Sequence, residues 1–282
     1  MSNTLNLLKK HHIRPNKHYG QSFLIDDDMF RKIVAAGQVK PGDTVVEIGA
    51  GLGVMTGLIA DVAAQVFAVE VDPNLIDVLR ENLRGKDNIE IVHQDILHVD
   101  FNAVTAGIPK GKIKVLGNIP YNITSDILFH LLEYRGVIHS AVLLVQQEVA
   151  ERLTAEPGTK AYGIPSVILS MYADLETLFP VSNRCFYPVP AVQSAVIRLI
   201  FRDEPRCPLQ DEAFFRRLVR ASFAQRRKTL LNNLKAYRKI EKTPDEITAL
   251  LAGLHIDGTR RAETLKLKEF ASLANALGDN TQ

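Results

Sequence analysis

From residue 43 onward, short runs of β-branched and other apolar residues alternate with longer stretches in which apolar positions recur every three or four residues. DTVVEIG predicts a strand, VMTGLIADVA a helix, QVFAVEVD a second strand, and NLIDVLRENLR a helix with Leu75, Leu79 and Leu83 on one side. IEIVHQD, KIKVLGN, SAVLLVQ and SAVIRLIF supply further strands. Strands separated by helices predict an α/β fold, a mostly parallel sheet covered on both faces. Such sheets take ligands beyond the carboxyl ends of their strands, so the residues at those ends are where chemistry is to be sought.

After about residue 200 the pattern changes. RDEPRCPLQDE is polar and proline-containing, as a linker is, and three helical stretches follow it: AFFRRLVRASFAQRRKTLLNNLKAY, TPDEITALLAGL and LKLKEFASLANAL. The expected division is a sheet domain over 1–200 with a basic N-terminal arm, and a small all-helical domain over 201–282.

Composition narrows the class without naming a function. The 282 residues suit two domains better than one, and 46% hydrophobic with 23% charged residues is the balance of an ordinary globular protein. A net charge of +2 is too small to identify a nucleic-acid partner, so its distribution matters more than its sum. Cys185 and Cys207 are the only cysteines, which excludes a disulfide scaffold and a four-thiolate metal site. No signal-peptide core precedes the first strand, and no run of about 18 apolar residues occurs. The expectation is a cytoplasmic protein with no membrane partner. The stretch MSNTLNLLKKHHIRPNK carries Lys9, Lys10, Arg14 and Lys17 without an acidic residue. Three readings of it stay open: an RNA-touching arm, a solubilising tail and a mitochondrial address.

The first strand runs into EIGAGLG, with Gly49, Gly51 and Gly53 ahead of a helix. Glycines there let the backbone turn sharply and approach a ligand. A dinucleotide fingerprint counted from Gly49 would need its third glycine at Val54, and Glu47 adds nothing to a pyrophosphate site, whereas a cationic methyl donor tolerates it. Glu70 ends the second strand and suits a pair of ribose hydroxyls; Asp95 ends the third and can accept from an adenine amine. Either acid alone reads as a solvated strand end, but together with the glycine loop they surround one nucleoside. Asp72, ahead of Pro73, reads as the start of a helix.

At the fourth strand end lies LGNIPYNITS. Asn118 offers a side-chain carbonyl, Ile119 a backbone carbonyl, and Tyr121 a ring held rigid by Pro120. An exocyclic amine on that ring would donate one hydrogen to each carbonyl, turning a conjugated nitrogen lone pair toward a methyl group held in line. The attacked nitrogen becomes cationic and sheds its proton readily, so His93, His98 and His130 are given no role as bases. A neutral amide in place of an acid is compatible with a second methylation of the same nitrogen.

These stretches, with KHYGQSFLID, QQEVAERL, YGIPSV, FYPVPAVQSAV and SFAQRRKTLLNNL, closely resemble the ribosomal RNA adenine dimethyltransferase family of the small subunit over about residues 14–275. The resemblance implies a Rossmann-like class I S-adenosylmethionine-dependent methyltransferase domain followed by a helical rRNA-binding domain. Members place two methyl groups on N6 of each of two adjacent adenosines in the hairpin near the 3′ end of small-subunit rRNA, within an immature 30S particle. S-adenosyl-L-methionine is the donor, S-adenosyl-L-homocysteine the product, and no metal is used. The implied cofactor residues are Gln21, Ser22, Leu24, Glu47, Gly49, Gly51, Glu70, Val71, Asp95, Ile96 and Asn118; the implied catalytic residues are Asn118, Ile119, Pro120 and Tyr121. Tyr19 departs from the family's usual Phe, Ser22 from its usual Asn and Ile119 from its common Leu. A monomer facing so large a substrate is the expected state.

Residues 202–240 hold 11 Lys or Arg against 4 Asp or Glu, so the modest global charge is concentrated here. Arg226, Arg227 and Lys228 are expected to hold RNA phosphates, with Leu230, Leu231, Leu234 and Phe223 packed inward. Phe186, followed by Tyr187, Pro188 and Pro190, reads either as an RNA contact or as a rigid turn at the pocket rim. Three rivals are weighed: a macrolide-resistance large-subunit methyltransferase, expected to lack the last two of these motifs; a DNA adenine methyltransferase, expected to carry an acidic or serine-headed tetrad; and a non-enzymatic ribosome-assembly factor, which the intact glycine loop, Glu70, Asp95 and Asn118 argue against.

Overall fold

The computed structural model describes residues 2–107, 111–237, 239, 240 and 242–278. Nine strands occur in it: β1 (Phe23–Leu24), β2 (Thr44–Ile48), β3 (Gln65–Glu70), β4 (Ile89–His93), β5 (Ile113–Asn118), β6 (Ile138–Gln146), β7 (Ala173–Val181), β8 (Phe186–Tyr187) and β9 (Ser194–Phe201). Seven form one sheet in the order β4-β3-β2-β5-β6-β9-β7, and β1 pairs with β8 in a separate two-stranded ribbon. Strands β2 to β6 run parallel and β9 is antiparallel to β6. The order reverses at β2, with β3 on one side and β5 on the other, and that reversal opens the crevice in which the glycine loop lies.

The helices are α1 (Asn3–Lys10), α2 (Asp27–Ala36), α3 (Val54–Ala60), α4 (Pro73–Asn82), α5 (Phe101–Thr105), α6 (Thr124–Glu133), α7 (Gln147–Leu153), α8 (Ile164–Tyr172), α9 (Glu212–Ser222), α10 (Leu230–Ala236), α11 (Pro244–Gly253) and α12 (Leu267–Gly278). Their starts follow local chemistry. Asp26 accepts from the Met29 N–H ahead of α2, and Asp72 accepts from the Asn74 N–H ahead of α4, where Pro73 needs no donor. All five residues of β2 are buried, as expected of a strand covered on both faces. Val45 of that strand joins Ile33, Ile59, Val66, Leu116, Leu144 and Val196 in one hydrophobic core.

The chain divides into two compact units, residues 1–150 with 174–201, and residues 151–173 with 202–282. One change of unit falls at 201/202, and α8 belongs to the helical unit, where Tyr172 packs edge-on to Phe215 at 6.4 Å and the Tyr172 carbonyl accepts from the Arg202 N–H. An insertion that leaves one domain and returns is invisible to a linear reading. Strand β7 was not foreseen either; ADLETLFPV is polar, carries Pro180 and ends the sheet, where a missing N–H is tolerated. The long helical pattern after residue 212 breaks into α9 and α10, joined by residues 223–229, because the Thr229 hydroxyl accepts from Asn232 N and starts a new helix.

Candidate active site

A cleft of about 280 Å³ lies at the carboxyl ends of β2 to β5. It brings together Gln21, Ser22, Gly49, Gly51, Glu70, Val71, Asp95, Ile96, Asn118, Ile119, Pro120 and Tyr121 from five separated segments. His18, Tyr19, Gly20, Phe23, Ile48, Val69, Leu75, Gln94, Asn122 and Ile123 complete the lining. All of these lie in stretches already singled out, with His18, Tyr19, Gly20 and Phe23 in the matched motif KHYGQSFLID, but none carried a site role there.

The glycine loop is left-handed at φ 71° for Gly49, 57° for Gly51 and 81° for Gly53. A Cβ on Gly49 would lie 3.2 Å from the Asn118 carbonyl oxygen, so its bareness keeps two strand ends close. Gly53 serves packing, since a Cβ there would lie 2.8 Å from Leu79 Cδ1 on α4.

Glu70 is pinned by the backbone. Its Oε2 accepts from Gly51 N at 2.8 Å, and its Oε1 accepts from Val71 N and Asp72 N, each at 2.9 Å. Burial raises its pKa while those three N–H groups oppose the shift. Three of a carboxylate's roughly four acceptor positions are thus taken, leaving about one for a ligand rather than the pair expected for two ribose hydroxyls. Asp95 accepts from Leu97 N through Oδ1 at 3.0 Å, which leaves its second oxygen to a ligand. The cradle fits a nucleoside: bare glycine floor, one fixed carboxylate, one half-satisfied carboxylate, and the buried Ile96 as an apolar wall.

Segment 16–22 crosses the cleft on hydrogen bonds of its own. Gln21 donates through Nε2 to Asp72 Oδ2 at 2.6 Å and accepts from Asn16 N at 2.8 Å, so its amide ties the segment's own backbone to the Asp72 carboxylate. Ser22 donates its hydroxyl to the Pro188 carbonyl at 3.0 Å, and its own carbonyl accepts from Asn118 Nδ2 at 3.0 Å. That second bond fixes the Asn118 amide and reserves its Oδ1 for something else. Tyr121 shares a 2.6 Å hydrogen bond with the fully buried Ser194, and burial pushes its phenol pKa up, so the ring is a fixed platform and stays protonated. The Pro120 carbonyl accepts from Thr124, which closes the turn on itself.

Three expected site residues lie elsewhere. Leu24 is 2% exposed in the hydrophobic core that includes Val45, and Phe186, 1% exposed, is buried in the same core. The β1–β8 register explains both: Leu24 faces Phe186 on the core side, while alternation turns Phe23 and Tyr187 the other way. An RNA contact through Phe186 is therefore excluded, and the aromatic ring left exposed is that of Tyr187. Glu47 is buried and lines a separate cavity of about 40 Å³ together with Thr4, Gly49 and Asn118. Burial pushes its carboxyl up to about 8, with the Thr56 hydroxyl opposing and the Glu70 charge reinforcing the shift. A carboxyl that is neutral at pH 7 gives a cationic donor no charge to lean on.

In the helical unit, loop 224–228 is exposed, yet Arg226 is engaged: Nε donates to Glu263 Oε2 at 3.1 Å and the guanidinium also reaches the Lys160 carbonyl. Phe223 stacks on Phe270 at 5.9 Å, and Leu230 and Leu234 are buried. His130 donates to the Val99 carbonyl within a cluster with Phe101 and Tyr134, while His93 and His98 are exposed, so none of the three lies in the cleft. Among the described residues no group of His, Cys, Asp and Glu is arranged to hold a metal, and no helix is long and apolar enough to cross a membrane.

Residues 13–278 match the family model described as ribosomal RNA adenine dimethylase. A protein of Syntrophus aciditrophicus named ribosomal RNA small subunit methyltransferase A is 46% identical over 271 residues, covering 96% of this chain and 97% of its own. A protein of Moorella thermoacetica with the same name is 45% identical over 280 residues, covering 97% of this chain and 96% of its own. Among solved structures, a dimethyladenosine transferase from Plasmodium falciparum superposes with a TM-score of 0.76 at 25% identity, over 88% of this chain and 94% of its own. The 23S rRNA methyltransferase ErmE superposes at 0.69 with 29% identity, over 91% of this chain and 99% of its own. That match, over 91% of this chain, reaches the helical unit as well as the sheet domain.

Proposed function

The chain belongs to the ribosomal RNA adenine dimethylase family, and from that premise we propose how its cleft carries out the reaction. The protein is an S-adenosylmethionine-dependent 16S rRNA adenine-N6 dimethyltransferase with a class I methyltransferase domain. When bound, S-adenosylmethionine supplies an electrophilic methyl group on a sulfonium. Asp95 would accept from the cofactor's adenine amine, Glu70 would take one ribose hydroxyl on its remaining acceptor position, Ile96 would wall the adenine, and the bare Gly49 and Gly51 would let the cofactor approach the backbone. The target adenine lies on the Tyr121 ring. Its N6 hydrogens go to Asn118 Oδ1 and to the Ile119 carbonyl, which favours a pyramidal nitrogen with its lone pair toward the methyl group. Tyr121 stays a phenol, so the proton lost after transfer goes to water.

The observation that carries this reading is the Asn118 amide, oriented by the Ser22 carbonyl so that its oxygen is left for an amine. The target is read as the two adjacent adenosines of the 3′ hairpin in an immature 30S particle, met in the cytoplasm by one copy of the enzyme. Arg227 and Lys228 hold RNA phosphates, with Arg226 bracing their loop. Nucleoside mass spectrometry of small-subunit particles lacking adenine dimethylation, after incubation with protein and S-adenosylmethionine, tests it. N6,N6-dimethyladenosine in the 3′ hairpin is the expected product; its absence with cofactor binding intact overturns the substrate assignment.

A further inference from the structure

Exposed apolar side chains are few among the described residues, and three of them, Tyr187, Val189 and Val192, fall within one six-residue stretch. Tyr187 is 47% exposed and Val189 60%. The stretch YPVPAVQ, residues 187–193, contains no charge, so it offers nothing to a phosphate. Clustered apolar exposure of this kind marks a contact surface.

Its location says what kind of contact. The register pairs Tyr187 with Phe23, and directly opposed residues of an antiparallel pair share a face. Phe23 lines the cleft and lies beneath Gly51, so Tyr187 stands on the cleft side of the ribbon. Both ends of the stretch are tied to the target-base pocket. The Pro188 carbonyl accepts from the Ser22 hydroxyl, whose own backbone carbonyl orients Asn118, and Ser194, two residues past Val192, fixes the Tyr121 hydroxyl. A rigid, uncharged, aromatic rim is thereby continuous with the pocket that takes the reacting adenine.

We propose that Tyr187, flanked by Val189 and Val192, is the stacking platform for the nucleobase next to the adenine undergoing methylation. This rests on the function proposed above and adds to it a residue that positions the substrate. A base lifted from an RNA hairpin drags its neighbour out of its stack, and an aromatic face compensates for the lost stacking whatever the base. For a target of adjacent adenosines the rim holds one while the pocket holds the other.

The test uses small-subunit particles carrying 2-aminopurine beside the target adenosine. Wild-type protein is expected to change the 2-aminopurine emission on binding, Tyr187→Phe to preserve that change, and Tyr187→Ala to abolish it while raising KM for particles about tenfold or more. Cofactor affinity and melting temperature should not move, since the side chain lies outside the core. An unchanged signal and KM in Tyr187→Ala overturn the proposal while leaving the function intact if dimethyladenosine still forms. A raised KM with an unchanged 2-aminopurine signal also overturns it, because the rim then touches a ribosomal protein. Failure of wild-type protein to perturb 2-aminopurine overturns the proposal, and failure to form dimethyladenosine overturns the function itself.

Discussion

At the residue scale, the site works by leaving a few polar atoms unspent in a frame where nearly all others are used. Asn118 is the clearest case, with its Nδ2 given to the Ser22 carbonyl and its Oδ1 kept for substrate. Asn118→Ala is expected to lower kcat by about 100- to 1000-fold, the usual cost of a lost transition-state hydrogen bond, with cofactor affinity measured by calorimetry nearly unchanged. Glu47 is the opposite case, a buried carboxyl whose Oε2 has no hydrogen-bond partner. Its folded pKa of about 8 lies above the ordinary 4.5. Its contribution to stability is therefore whole below about pH 4.5 and is lost as pH rises through about 8. Glu47→Gln should melt like wild type at pH 4.5 and higher than wild type at pH 8.5, by on the order of a few kcal/mol; equal melting temperatures at both pH values would refute a buried protonated acid. Both residues stand in motifs visible in the sequence. What each does was not visible, because a hydrogen-bond partner 96 positions away and complete burial are properties of the fold.

At the scale of elements, the parallel strands were legible because burial on both faces writes itself as continuous apolar runs, as in VVEI and VLGN. Gly117 shows why one of those runs has a gap: a Cβ there would lie 2.8 Å from the Ile48 carbonyl, so only glycine lets β5 lie against β2 one residue before Asn118. The break between α9 and α10 escaped detection because basic residues suit a helix face as well as a loop, and a single hydroxyl decides the matter. Thr229→Ala removes the cap of α10 and should cost about 1 kcal/mol, read as a lower denaturation midpoint with unchanged slope. Particle affinity should fall with it, since the basic loop ends at that cap.

At the scale of the whole molecule, charge is spent locally. Arg227→Glu with Lys228→Glu is expected to weaken particle binding and reduce the salt dependence by about two phosphate contacts, leaving cofactor affinity unchanged; an unaltered slope would move the RNA-binding surface elsewhere. Arg226 belongs in a separate experiment, because its ion pair with Glu263 makes its loss a structural change. The sequence by itself determined the alternating strands and helices, the glycine loop, the acids at two strand ends, the stretch from Asn118 to Tyr121 and the family, all of which are local patterns or fixed spacings along the chain. Only the tertiary structure decided that Leu24 and Phe186 are core while Tyr187 is rim, that residues 151–173 join the helical unit, and that Gln21 and Ser22 spend their polar groups on holding the site. The physical reason is that burial and hydrogen-bond partnership depend on which distant segments meet, and a chain read in order carries no record of its own contacts.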